Sequence, residues 1–343
     1  MMQKVKTENS IGMILCHDLT QIIPGEFKGV AFKKGHKVRE EDILVLLSMG
    51  KDYLYVWEEN PGLVHEDEAG KRLARAVNRG IFQETGPKEG KVDLLAPEAG
   101  LLRINPEVVT EINLLGEIAI STLPDYTHVK QGEKVAGMRV IPLVIAEEKL
   151  ARAEEIAASA AWTMKIKPFK IKRAGMIVTG NEVYYGRIKD QFSPRVKEIL
   201  STLDVELVQK TCLPDSPGDI TAEILAQVES GLEMVLVSGG MSVDPDDRTP
   251  GAIKATGARV VTYGTPVFPG AMFMLAYLGD VPVLGLPGCV MYSPATVLDK
   301  YLPRILAKEE ITRAQIAASG VGGLCSECSI CHFPNCSFGT TGV

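Results

Sequence analysis

The sequence predicts an α/β protein whose main domain is a doubly wound, mostly parallel sheet, preceded by smaller α+β and β-rich domains. From Arg173 onward, short apolar runs alternate regularly with amphipathic stretches, which is the pattern of a sheet covered by helices on both faces. A chain of 343 residues exceeds what one ordinary core organises. The hydrophobic share of 45% is enough to fill several interiors.

The elements follow in chain order. Between Lys4 and Glu59 short β-like runs surround one helix of about two turns, expected over Glu40 to Met49 between Gly35 and Gly50. After Asn60-Pro61-Gly62 a helix is expected from Glu66 to Asn78, with Ala69, Leu73, Ala76 and Val77 on one face. A β-rich stretch follows, punctuated by Pro87, Gly90, Pro97, Gly100, Pro106, Gly116 and Gly132, its last strand expected over Arg139 to Ala146. Glu147 to Met164 holds no Gly or Pro and is alanine-rich, which suits a connecting helix. Four segments result: 1–60, 61–165, 166–311 and a cysteine-rich tail, 312–343.

In the third segment the expected strands are Gly175 to Val178, Val205 to Val208 and Met234 to Val237, and the expected helices Pro194 to Leu203, Asp219 to Val228 and Pro250 to Thr256. Phe273 to Leu278 and Val281 to Leu286 flank Gly279-Asp280, a hairpin turn. A closing helix is expected from Pro294 to Ala307.

Composition narrows the function. Lys plus Arg number 37 against 43 acidic residues, so the net charge of −6 offers no footprint for a nucleic-acid backbone. No run reaches the ~18 apolar residues of a membrane span, and Ile11 to Leu15 is interrupted at once by Cys16, His17 and Asp18, unlike a signal peptide. A cytoplasmic protein with reduced thiols, acting away from membranes, is expected.

In open α/β sheets ligands bind beyond the carboxyl ends of the strands. Three loops there carry suitable residues. Thr179-Gly180-Asn181-Glu182 offers a close backbone approach and a carboxylate, though an ordinary turn would look alike. Ser238-Gly239-Gly240-Met241-Ser242 exposes N–H groups for an anion and runs into Asp244, Asp246 and Asp247. Carboxylates beside a phosphate call for a bridging hard cation, Mg²⁺; the alternative is a capping cluster, which needs only one of the three. Gly285-Leu286-Pro287-Gly288-Cys289 brings backbone close to the same space. A phosphorylated small molecule is the expected ligand.

Together these loops resemble the molybdopterin-binding fold of the MoaB/Mog proteins and of molybdopterin molybdenumtransferases, over Ala174 to Ala307. The resemblance implies binding of molybdopterin, its adenylated form or the finished molybdenum cofactor, with Glu182, Asp215 and Asp247 at the family's acidic positions and Asp190 a looser match. It makes Asp247 and Glu182 the catalytic candidates, and Thr179, Gly180, Glu182, Asp190, Asp215, Ser238, Gly239, Gly240, Ser242, Pro287, Gly288 and Cys289 the cofactor-binding ones. It also implies a molybdoenzyme as recipient and, since relatives are often dimers or trimers, a homo-oligomer. The chain departs from the transferases at Phe268-Pro269-Gly270-Ala271-Met272, where they carry lysines, at Asp244 in place of glycine, and at Cys289-Val290 in place of Asn-Pro. Transferase, cofactor carrier or sensor, and nucleotide hydrolase on a borrowed fold all stay open.

The tail spaces Cys325, Cys328, Cys331 and Cys336 as C-x₂-C-x₂-C-x₄-C. Two-residue gaps wrap a loop around one centre, so a [4Fe–4S] cluster is expected, with a zinc site and metal-free reactive thiols as alternatives. Cys16 and Cys212 read as buried small hydrophobes; Cys289 lies in the ligand-facing Pro-Gly loop, where simple packing is the first reading and a soft thiolate toward molybdenum the alternative.

Overall fold

The computed structural model describes residues 3–23, 26–56, 62–242 and 248–340. The chain divides into two compact units: Met1–Glu98 with Ile104–Leu123 and Val129–Lys165, and Ala99–Arg103 with Pro124–His128 and Ile166–Val343.

In the first unit, Gln3–Lys6 pairs antiparallel with Tyr53–Val56, and Leu19–Ile23 with Phe27–Phe32. Leu15, Leu19, Val38, Leu46, Leu54 and Val56 fill a small core that also holds the helix Asp42–Ser48. The helix Glu66–Asn78 forms over the expected residues and buries Ala69, Leu73, Ala74 and Val77. It lies on an antiparallel sheet of Gln83–Lys88, Lys91–Leu95, Lys134–Val140 and Ile118–Thr122. Contact is close enough that a Cβ on Gly70 would come within 2.2 Å of the Gly90 carbonyl oxygen. Arg72 forks onto both Glu147 and Glu154, tying this helix to Glu147–Ser159.

Three expectations fail here. The helix expected from Glu147 to Met164 ends at Ser159, and Met164 opens the strand Met164–Lys167. The strand expected over Arg139 to Ala146 is two strands, Lys134–Val140 and Val144–Ala146, parted around Pro142, which has no N–H to give a ladder. Pro106 does not mark a turn; it opens the helix Pro106–Leu114, whose first turn is capped by the Asn105 side chain.

The second unit is the mixed α/β domain. Its elements are β1 (Arg173–Thr179), α1 (Phe192–Ser201), β2 (Glu206–Leu213), α2 (Pro217–Glu229), β3 (Met234–Ser238), α3 (Thr249–Ala255), β4 (Arg259–Tyr263), β5 (Met274–Leu278), β6 (Val281–Leu286), α4 (Val297–Leu306) and α5 (Arg313–Ala318). The sheet runs in the order β2-β1-β3-β6-β5-β4. Its first four strands are parallel, and β5 pairs antiparallel with both of its neighbours. Strand alternation sorts side chains to two cores. Met176, Val178, Leu236 and Leu284 meet α1 and α4 on one face. Ile177, Val235, Val237 and Val283 meet α2 and α3 on the other. Strand β4 and helix α5 were not anticipated from the sequence.

The cysteine-rich segment belongs to the same unit. Phe338 is only 3% exposed and sits in the first of these cores, with Phe333, Cys325 and Cys336 packed against it. Among the described residues no helix is long and apolar enough to cross a membrane.

Candidate functional site at the carboxyl edge of the sheet

Chain order reverses between β1 and β3, because β2 lies outside β1 while β3 and β6 lie on its other side. Such a switch point opens a crevice, since the connections leave toward opposite faces. In register, Val178 stands beside Ser238, and Ser238 beside Leu286. The three glycine-bearing loops therefore leave the sheet at one level, and Thr179↔Leu213 brings the loop holding Asp215 to the same edge.

Hydrogen bonds join these loops. The Asn181 N–H donates to Asp215 Oδ2 at 3.0 Å, and the Gly180 N–H to the Leu213 carbonyl at 3.3 Å. Gly180 has φ 139°, and the Glu182 carboxylate folds back over it, within 2.9 Å of where a Cβ would stand. Gly239, at φ 90°, approaches β1 so closely that a Cβ would lie 2.2 Å from the Thr179 carbonyl oxygen. Its own carbonyl accepts from Thr249 Oγ1 at 2.7 Å, and the Thr249 N–H donates to the Gly240 carbonyl at 3.1 Å. The Tyr263 hydroxyl donates to the Met241 carbonyl at 3.0 Å and lies 3.3 Å from that of Ser242.

Ser238 is fully buried, and its hydroxyl has no hydrogen-bond partner among the described residues. A buried unpaired hydroxyl costs about 1–3 kcal/mol, so its retention at the switch point suits a role toward a ligand.

Of the residues singled out from the sequence, Thr179, Gly180, Glu182, Asp215, Ser238, Gly239, Gly240, Pro287 and Gly288 lie on these converging loops. Ser242 is exposed beside them. Asp244, Asp246 and Asp247 lie outside the described residues. Asp190 is occupied elsewhere: it accepts from the Phe192 and Ser193 N–H groups at the start of α1 and pairs with Lys210 at 3.1 Å. Burial draws its carboxyl up, but the Ser193 hydrogen bonds and the Lys210 ammonium outweigh that and hold it below the usual range. Burial pushes the Cys289 thiol up, which works against the thiolate that a soft metal would need. Cys16 is buried, its thiol pushed up to about 11 chiefly by desolvation, and Cys212 packs half-buried on the domain core.

The four tail cysteines are free, with Cys328 and Cys331 exposed and Cys325 and Cys336 half-buried. Among the described residues no three His, Cys, Asp or Glu side chains are gathered closely enough to hold a metal ion.

Sequence reasoning missed Thr249 and Tyr263, which fix the second loop from behind. Thr249 carried a signal, since Thr-Pro at a helix start places a hydroxyl beside the preceding turn. Tyr263 carried none, because its reach depends on β4 lying two strands from β6.

Residues 175–307 match the family model described as "Probable molybdopterin binding domain", and residues 4–58 match a domain family of unknown function, DUF8806. CinA-like proteins of Mycobacterium tuberculosis H37Rv and Mycobacterium leprae are 39% and 38% identical over 77 residues, which is 22% of this chain and 18% of each relative. The chain thus matches less than a fifth of the length of these curated relatives. Similar solved structures include the molybdopterin biosynthesis enzyme MoaB of Thermus thermophilus, at 20% identity and TM-score 0.32 over 39% of this chain and 91% of that one. The tungsten cofactor synthesizing protein MoaB of Pyrococcus furiosus matches at 20% and 0.33 over 40% and 97%. A CinA protein of unknown function from Thermoplasma acidophilum matches at 19% and 0.33 over 39% and 98%. The match to a probable molybdopterin-binding domain is thus confined to the α/β domain, over residues 175–307.

Proposed function

We propose that the α/β domain binds molybdopterin or its adenylated form, together with Mg²⁺, in the crevice between β1 and β3, and that the protein serves molybdenum cofactor biosynthesis. The observation that carries this reading is the buried Ser238 hydroxyl at the switch point, without a partner among the described residues and followed by Gly239 and Gly240. Glycines with positive φ turn backbone N–H groups toward an anion without a side chain in the way. Glu182 and Asp215, on neighbouring loops tied through Asn181, are oxygen donors of the kind a hard cation takes, and Asp244, Asp246 and Asp247 are sequence candidates to join them. When bound, Mg²⁺ would neutralise ligand phosphate oxygens facing these carboxylates. Glu182, the catalytic candidate that lies within the described residues, is exposed.

A titration of the purified protein with molybdopterin, with and without Mg²⁺, tests the reading. Binding that needs Mg²⁺, and loses that need in Asp247→Asn, is the expected result; a folded protein that takes up no pterin under either condition refutes it.

Within this site a carrier is favoured over a transferase. The segment Phe268 to Met272 contains no Lys or Arg, so it supplies no fixed cation for charge developing during group transfer. A carrier releases the pterin chemically unchanged to a molybdoenzyme, whereas a transferase returns it altered; mass spectrometry of the released ligand separates the two.

A further inference from the structure

The cysteines are carried on a closed loop built against one particular neighbour. After α5, the Tyr301 hydroxyl donates to Ser319 Oγ at 2.8 Å, and the chain turns at Gly320 to Gly323. Gly323 fits only as glycine, since a Cβ would stand 2.5 Å from the Ser319 carbonyl oxygen and 2.7 Å from that of Pro266. Leu324 then forms a parallel bridge with Phe268: the Phe268 N–H donates to the Gly323 carbonyl and the Cys325 N–H to the Phe268 carbonyl, each at 2.8 Å. At the far end the Gly339 N–H returns to the Gly322 carbonyl at 2.9 Å, and Lys300 Nζ donates to the Gly339 carbonyl at 2.7 Å. Phe338 plugs the neck from inside the domain core. Residues 323–338 therefore form a loop whose ends are already joined, so the entropy of closing it is met by the protein fold rather than by a ligand.

All four cysteines lie within this loop, two anchored and two exposed. Exposed free thiols are uncommon in folded proteins, and although no three of these thiols are yet gathered around one point, four at these spacings on a pre-closed loop can close on one soft metal centre. The neighbour is as informative. Phe268 belongs to the Gly264–Phe273 connection, which leaves β4 at the same sheet edge as the crevice loops, because β4 runs parallel to β6. That connection is held in turn by α4: the Val297 N–H donates to the Pro269 carbonyl at 3.0 Å, and Gly270 abuts the Val297 side chain.

We propose that Cys325, Cys328, Cys331 and Cys336 form a four-thiolate metal site whose occupancy fixes the Gly264–Phe273 connection at the carboxyl edge of the sheet. Four S–H protons leave as four sulfur–metal bonds form, and Cys328 and Cys331 are drawn in toward the anchored pair. The bound centre is a divalent metal of the zinc type or an iron–sulfur cluster; both need the same four thiolates. The link to ligand binding rests on the function proposed above, but the metal site does not.

The test uses the full chain with reduced thiols. Titration with Co²⁺ as an optical probe is expected to give intense thiolate-to-metal bands saturating at about one metal per chain, and Cys328→Ser and Cys331→Ser, both at exposed positions, are expected to weaken them. On metal loading, hydrogen exchange of the Phe268 and Cys325 amides is expected to slow by about tenfold or more, while β1 is unchanged. Protein isolated without oxygen distinguishes the centres: brown with bound iron and sulfide, or colourless with zinc. Native-folded protein that gives no thiolate bands and carries neither metal overturns the proposal. So does metal loading that leaves the Phe268 amide exchanging at its former rate. Neither readout involves pterin, so a failed pterin titration leaves this result standing, and the converse also holds.

Discussion

Replacing Phe338 by Ala is expected to destabilise the whole α/β domain, although the residue stands just past the cysteines of the tail. Phe338 is 3% exposed, its ring centroid lies 6.0 Å from that of Phe333, and it belongs to the core that also contains Met176, Leu236 and Tyr301. Truncating a buried Phe to Ala removes its transfer energy and leaves a cavity, together about 3–5 kcal/mol. Since domains are stable by only about 5–15 kcal/mol, that is a large fraction of the total. Because the chain has two units, a single melting curve would mix them, so amide exchange is the cleaner assay. Exchange of the Met234–Ser238 amides through global opening of the domain is expected to quicken roughly a hundred- to several-thousand-fold. Phe338→Leu, which keeps most of the volume, is expected to cost about 1 kcal/mol. If exchange in this central strand changes by less than about threefold in Phe338→Ala, the loop does not share the domain's core and the reasoning is wrong.

Gly239→Ala is expected to cost about 2–4 kcal/mol, because its φ of 90° and the Thr179 carbonyl 2.2 Å away both oppose a Cβ; urea titration showing a loss under about 0.5 kcal/mol would contradict this. Ser238→Ala removes a buried hydroxyl that has no partner among the described residues, so stability is expected to hold or rise by about 1 kcal/mol while pterin affinity falls roughly fivefold; equal affinity in the two proteins would take Ser238 out of the site. In the first unit, burial and the Lys34 ammonium 2.9 Å away depress His65, against the opposing hydrogen bond to the Cys16 carbonyl and the Asp67 carboxylate, and burial with Lys51 depresses His17. Both folded values lie below 6.5, so the unfolded chain takes up protons first. The stability this contributes is present above about pH 6.5 and lost as pH falls through the histidine range. Exchange of the Glu66–Asn78 amides compared at about pH 7.5 and about pH 5.5, corrected for intrinsic rates, checks it; protection that is unchanged or greater at the lower pH would refute it.

The sequence alone determined the α/β class and most of the strand–helix order after Arg173, because a parallel strand covered on both faces must be a short apolar run, and Met234–Ser238 or Val281–Leu286 can be little else. It also picked out Thr179-Gly180, Ser238-Gly239-Gly240 and Pro287-Gly288; at Gly180 and Gly239, positive φ and close approach leave glycine where other residues are excluded. It could not show that Asp190 is spent on capping α1 and pairing with Lys210, because a carboxylate that caps and one that waits for a ligand are the same letter in the same kind of loop. Only tertiary structure set Val178, Ser238 and Leu286 side by side, left the Ser238 hydroxyl without a partner among the described residues and put Tyr263 behind the second loop. The cysteine segment shows the division most clearly. Its spacing is local and legible, whereas its docking on Phe268 and the burial of Phe338 arise from contacts between residues far apart in the chain, and sequence periodicity carries no information about those.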